Sequence, residues 1–142
     1  MIVPAALVAQ LLATASSLSG YPPPSALPRV TVAPVAEIAA IGCRGACGAQ
    51  GSYDPQRGIL LSDRLDPAGD VRSRAVLLHE IVHHLQDIHG AFADLRPCER
   101  FLARERQAYA VENRYLQRHG QPPDPGYAYL LQTVDLGACA GS

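Results

Sequence analysis

Residues 71–90 read VRSRAVLLHEIVHHLQDIHG, and this stretch decides how the rest of the chain is understood. Asp70 stands before it as an N-cap and Gly90 closes it, so the spacing predicts one helix. Set His79 at zero and advance about 100° per residue: His83 then falls near 40°, Glu80 near 100° and His84 near 140°. Leu77, Leu78, Ile81, Val82, Leu85 and Ile88 fill the opposite arc. One face is therefore a core face and the other carries the histidines and the glutamate. His79 and His83, one turn apart, can reach a single ion, and Glu80 beside the first histidine is placed to act as general base on water held there. This is the H-E-x-x-H arrangement of a zinc site.

Two histidines make half a site, because catalytic zinc takes three protein ligands and a water. A second long helix is expected from about Pro97 to His119, closed by Gly120 and then Pro122-Pro123. Phe101, Glu105, Ala108, Glu112 and Tyr115 share one stripe of it, alongside Leu102, Tyr109 and Leu116. Two glutamates thus project from an apolar face, where a charge is costly unless paired or bound to metal. Either Glu105 or Glu112 can supply the third ligand; Glu112 can instead hold a ligand histidine from behind or pair with an arginine. Ala108 is small enough to let this helix approach the motif helix closely.

HEIVHH followed after 22 residues by Glu105-Arg106-Gln107-Ala108 resembles a minimal gluzincin, the branch of the zincin metallopeptidases in which a helical glutamate completes H-E-x-x-H. PCERFLARERQAYAVENRYL read with HEIVHHLQD is also similar to a family of small bacterial zincin-like proteins, and the likeness extends to GYPPPSALPRV and the last cysteine. The resemblance implies His79, His83 and Glu105 as ligands of one Zn2+, Glu80 as the base, and a Cys98–Cys139 disulfide. Where the best-known gluzincins carry an aspartate four residues after the ligand glutamate, this chain has Tyr109. The strand at 58–62 precedes the helix as the edge strand does in zincins, and by that analogy it could hold an extended peptide through main-chain hydrogen bonds.

The remaining elements follow from punctuation. Residues 1–19 are expected to be a first amphipathic helix, since Gln10, Thr14 and Ser17 form a polar stripe. A signal peptide ending near Ala13-Thr14-Ala15 is the alternative, but no Lys or Arg precedes the apolar run. That run is too short to span a membrane. Gly20-Tyr21-Pro22-Pro23-Pro24 is a stiff connection; Arg29 to Ala33 alternates as a strand, and Pro34 to Ile41 is a short helix before Gly42. Ala49 to Tyr53 and Gly58 to Ser62 flank Asp54-Pro55-Gln56-Arg57 and form a hairpin. A last short helix covers Tyr127 to Val134. The expected fold is α+β: a single, mainly helical zincin-like domain over 1–142, with a short hairpin sheet preceding the motif helix.

Twelve Lys+Arg against thirteen Asp+Glu give a net charge of -1, which excludes the basic footprint of a nucleic-acid binder. The arginines between 96 and 118 are interleaved with glutamates at helical spacing and predict a solvated, salt-bridged face. Cys43 and Cys47 flank a loop short enough for a local disulfide, which leaves Cys98 to pair with Cys139. That pairing points to an exported, periplasmic setting, with free buried thiols as the alternative. His84, Tyr109, Tyr127 and Tyr129 are candidate donors to an oxyanion, and His89 and His119 suit helix C-termini. The expected function is a zinc-dependent hydrolase, a metallopeptidase acting on a peptide or small protein. Its rivals are a non-catalytic zinc-binding interaction module of a disulfide-stapled exported protein, and a stapled domain without metal.

Overall fold

Gly58-Ile59-Leu60-Leu61-Ser62 is apolar without alternation, which suits a strand covered on both faces. The computed structural model, which describes residues 2–42 and 50–133, shows it so. The described elements are α1 (Ala5–Ser19), β1 (Val30–Ala33), α2 (Val35–Gly42), β2 (Gly51–Asp54), β3 (Gly58–Ser62), α3 (Val71–Ile88), α4 (Pro97–Arg118) and α5 (Gly126–Thr133). They make an α+β fold with one three-stranded sheet in the order β1-β3-β2. β3 pairs parallel with β1, Val30 opposite Ile59, and antiparallel with β2, Gly51 opposite Leu61. Ile59 and Leu61 enter the main core, while Leu60 meets Ala33 and Ile38 of α2 on the other face.

This corrects the edge-strand analogy. β3 is central and both its edges are paired; β2 is the edge strand nearest α3. The β2–β3 turn is set by Asp54, whose Oδ1 accepts from the backbone N–H of Gln56 and Arg57 at 2.8 and 3.0 Å. Gly58 then takes φ 81°, and a Cβ there would lie 2.6 Å from the Arg29 carbonyl oxygen, so the β1–β3 approach requires glycine.

α3 begins as its sequence requires: the Asp70 carboxylate accepts from Ser73 N–H at 3.0 Å. Leu77, Leu78, Ile81, Val82 and Leu85 are fully buried against α1, β3 and α4. Each such side chain contributes roughly 1.5–3 kcal/mol through area removed from water, which holds α3 in one rotational setting and so fixes where its histidines lie. Ile88 departs from the expected core arc and is 46% exposed, because α3 ends there and the chain turns through His89 and Gly90. α1 contributes Leu11, Leu12 and Ala15 to the same core.

α4 lies along α3 with Ala108, Val111, Glu112, Tyr115 and Leu116 buried between them. Phe101, placed on the buried stripe by periodicity, is 48% exposed near the start of the helix. The arginines around α4 do less mutual pairing than expected. Arg96–Glu99 is an ion pair, but Arg100 donates to the carbonyls of Phe92, Ala93 and Leu95, and Arg104 reaches back to α3. Cys98 is not a free thiol. Cys43, Cys47 and Cys139 lie outside the described residues, and so do both expected pairings. No described helix is long and apolar enough to cross a membrane.

Candidate metal centre

Helical geometry brings His79 and His83 to one face of α3, and α4 brings Glu105 to meet them. Nε2 of His79 and Nε2 of His83 stand 3.2 Å apart. The Glu105 carboxylate bridges them, Oε2 at 3.1 Å from His79 Nε2 and Oε1 at 3.0 Å from His83 Nε2. Both histidines are under one tenth exposed. His79, His83 and Glu105 are a set of three residues that could hold a metal ion.

The far nitrogen of each ring decides what the near one offers. His79 Nδ1 lies 2.8 Å from Glu112 Oε1, and a carboxylate oxygen accepts, so Nδ1 carries the proton. His83 Nδ1 lies 2.8 Å from Gln86 Oε1, likewise an acceptor. In the neutral rings both Nε2 atoms therefore present lone pairs to each other and to a carboxylate. Three acceptors this close need a cation or added protons between them. Tetrahedral zinc, with bonds of about 2.0–2.1 Å, sets its ligand atoms about 3.3–3.4 Å apart, close to the spacings here. The donor set fits such an ion.

The electrostatics agree. Burial works against a charge on His79, but hydrogen bonds to Glu105 and then Glu112 outweigh it and raise its pKa well above the ordinary 6.5. Burial likewise pushes Glu105 up, yet the contacts with His79 and His83 hold its carboxyl far below the usual range. A positive charge is what this cluster favours.

Glu80 lies on the same helix face and is raised, chiefly by burial. It packs under β2: a Cβ on Gly51 would come within 3.1 Å of its Cγ and 3.3 Å of its Oε1. Its carboxylate has no hydrogen-bond partner among the described residues. Glu112, only 2% exposed, stands behind His79 rather than in the three-residue set. Its pKa is pushed up to about 7 by burial, opposed by its bond to His79 and reinforced by a hydrogen bond with Asp124.

Tyr109 sets its ring edge-on to His79, with centroids 4.4 Å apart. Burial first, then the charges of Glu105, Asp124, Glu112 and Glu80, raise its hydroxyl and keep it protonated. Tyr127 neighbours Tyr109 at 6.2 Å, whereas Tyr129 is 61% exposed. His84 turns away to meet Tyr53 of β2 edge-on, and burial lowers its pKa. His119 Nδ1 bonds the Tyr115 carbonyl at the end of α4. His89 does more than suit a helix end: it stacks on Tyr21.

Three residues of this neighbourhood escaped the sequence: Gln86, Asp124 and Gly51. Gln86 had a signal, since seven residues past His79 returns to within about 20° of it on the wheel. Asp124 had none, because its approach to Glu112 depends on Asn113, which clamps the loop by exchanging hydrogen bonds with the Asp124 backbone. No family model, curated protein or solved structure matches the chain.

Proposed function

We propose that His79, His83 and Glu105 bind one zinc ion, and that the chain is a zinc-dependent hydrolase of the metallopeptidase type. The observation that carries this is the convergence of two imidazole Nε2 atoms, 3.2 Å apart, on the two oxygens of one carboxylate at 3.1 and 3.0 Å, while the outer nitrogens of both imidazoles are held by Glu112 and Gln86. Bound zinc would supply Lewis acidity and lower the pKa of a coordinated water to about 7. Glu80, its pKa raised by burial and its carboxylate without a hydrogen-bond partner among the described residues, takes the proton of the attacking water and delivers it to the leaving amine. Tyr109, whose ring meets His79 edge-on and whose hydroxyl is kept protonated, is the donor assigned to stabilise charge on the carbonyl oxygen. β2, the edge strand over Glu80, offers the main-chain groups for an extended peptide. The exported setting rests on cysteine usage, with Cys98 not free.

A second reading, a zinc-bearing module that binds partners without catalysis, is favoured by one observation. His79, Glu80 and His83 are all less than one tenth exposed, as in a closed structural site. Zinc content of wild type beside His79→Ala tests the site: zinc that is absent from the first, or unchanged in the second, removes the assignment. Glu80→Gln separates the two readings. It retains zinc in both, and abolishes cleavage of a peptide library only if the centre is catalytic. A wild type that binds zinc and cleaves nothing in that library decides for the module.

A further inference from the structure

Gln86 is fully buried on α3, and every hydrogen-bonding position of its amide is used. Its Oε1 accepts from His83 Nδ1 at 2.8 Å and from Arg104 Nε at 3.3 Å. Its Nε2 donates to the Arg104 carbonyl at 2.9 Å and to Gln107 Oε1 at 3.0 Å. Turning the amide over would set NH2 against two N–H donors and its oxygen against a carbonyl, so only one orientation is allowed. Gln107 Oε1 in turn accepts from the Tyr21 hydroxyl at 2.8 Å, across 86 residues of sequence.

Tyr21 is itself fixed from outside α4. Its ring stacks on His89 with centroids 5.5 Å apart and planes 9° from parallel. His89 Nε2 donates to the carbonyl of Pro22 at 2.8 Å, and Ser16 of α1 donates to the carbonyl of Tyr21. The stiff Gly20–Pro24 connection therefore delivers one hydroxyl to one amide, two hydrogen bonds away from a candidate metal ligand.

We propose that Tyr21, Gln107 and Gln86 are positioning residues that hold His83 as the Nδ1–H tautomer with its Nε2 lone pair on the centre, so that the segment after α1 governs metal affinity. This rests on the metal reading of His79, His83 and Glu105. Each member directs the next. Without the Tyr21 hydroxyl the Gln107 amide is free to turn, its NH2 then opposes that of Gln86, and the acceptor held against His83 is loosened. Partners behind a ligand histidine change metal affinity by about 10–100-fold, and the effect is expected to fall with distance from the ring.

The test uses the full chain, with Zn2+ titrated against a chromophoric chelator and Co2+ absorption as a report on ligand geometry. Gln107→Leu is expected to bind Zn2+ about tenfold more weakly and to alter the Co2+ bands. Gln107→Glu, which keeps an acceptor for both Tyr21 and Gln86, is expected within about twofold of wild type. Tyr21→Phe keeps the stack on His89 and should fall between them, which also keeps the question decidable if Gln107→Leu does not fold. Wild-type affinity and an unchanged Co2+ spectrum in both Gln107→Leu and Tyr21→Phe, whatever their melting temperatures, would overturn the inference and leave a structural brace. A wild type that takes up neither metal removes the metal reading itself, and this inference with it.

Discussion

Glu105 and Glu112 stand two turns apart on one stripe of α4, roughly 10 Å along the helix, and each meets a nitrogen of the same imidazole. Glu105 faces Nε2 of His79, shares its other oxygen with His83, and keeps 19% of its side chain in solvent. Glu112 faces Nδ1, has 3% exposure, and is backed by Asp124. Their carboxyls diverge accordingly, the first held far below the ordinary range and the second raised to about 7. Residue type and helical stripe do not separate them. Which side of one ring each reaches does: the Nε2 side faces a second histidine and the Nδ1 side faces only α4 and its loop.

The largest expected effect breaks this comparison outright. Glu105→Gln should lower Zn2+ affinity by more than about 100-fold, beyond the range of a partner behind a ligand, as measured by chelator competition. Glu112→Gln should cost about 10–100-fold, because His79 loses a charged acceptor while all three ligand atoms remain. If the order is reversed, the two glutamates exchange roles and the tautomer assigned to His79 is wrong.

A pH series sharpens the same contrast in the metal-free protein. His79 is raised in the folded chain, so its contribution to stability is complete below the ordinary 6.5 and is lost as pH rises through its folded value. Glu112, raised from 4.5 to about 7, contributes in the same direction. Glu105 is depressed, so its contribution is present above 4.5 and is lost as pH falls through its folded value. Denaturant midpoints of the metal-free chain should therefore fall from pH 4.5 upwards, through Glu112 as far as about 7 and through His79 above 6.5. Zn2+ should cancel that fall, since its affinity grows as the ligands deprotonate. A metal-free chain that becomes more stable between pH 7 and 9 would contradict the assigned charges.

Periodicity puts His79, His83 and Glu80 on one arc of α3, because a helix makes neighbours of residues four apart, while residue type just before the helix marks Asp70 as its cap. Periodicity also puts both Glu105 and Glu112 on the inner face of α4, but it is blind to which ring nitrogen a neighbouring side chain meets. The fold class and the hairpin followed from alternation and turn residues. The place of β3 in the sheet did not, although its continuous apolar run was the sign of a strand covered on both faces. Ile88 and Phe101 were lost because a helical wheel has no ends, and both lie near a helix terminus where cover runs out. Asp124 and Gly51 are tertiary facts: one loop clamp and one close approach.

Glu80, buried like Glu112, supplies the subtlest test, through Gly51. A methyl group at 51 would sit 3.1 Å from Glu80 Cγ, 3.3 Å from its Oε1 and 3.3 Å from Val76 Cγ1, all tighter than ordinary contact. The backbone at Gly51 needs no positive φ, so Gly51→Ala carries no conformational strain of its own. The neighbour that must give is the free end of Glu80, which has no described partner to hold it, whereas β2 is pinned by Tyr53 donating to Asp87 at 2.9 Å. Stability should consequently change by less than about 1 kcal/mol, within the range of small overpacking. Zn2+ affinity should stay at the wild-type value, since the three atoms nearest that methyl group belong to Glu80 and Val76 and not to either candidate ligand histidine. If the proposed hydrolysis is carried by Glu80, it should drop, because the carboxylate is pushed away from β2, and the loss should appear in kcat more than in KM. Equal activity in Gly51→Ala would mean that Glu80 is not held by β2. Zinc loss there would mean instead that the strand braces the metal centre as a whole, and that Glu80 is more tightly coupled to His79 and His83 than its missing hydrogen bonds indicate.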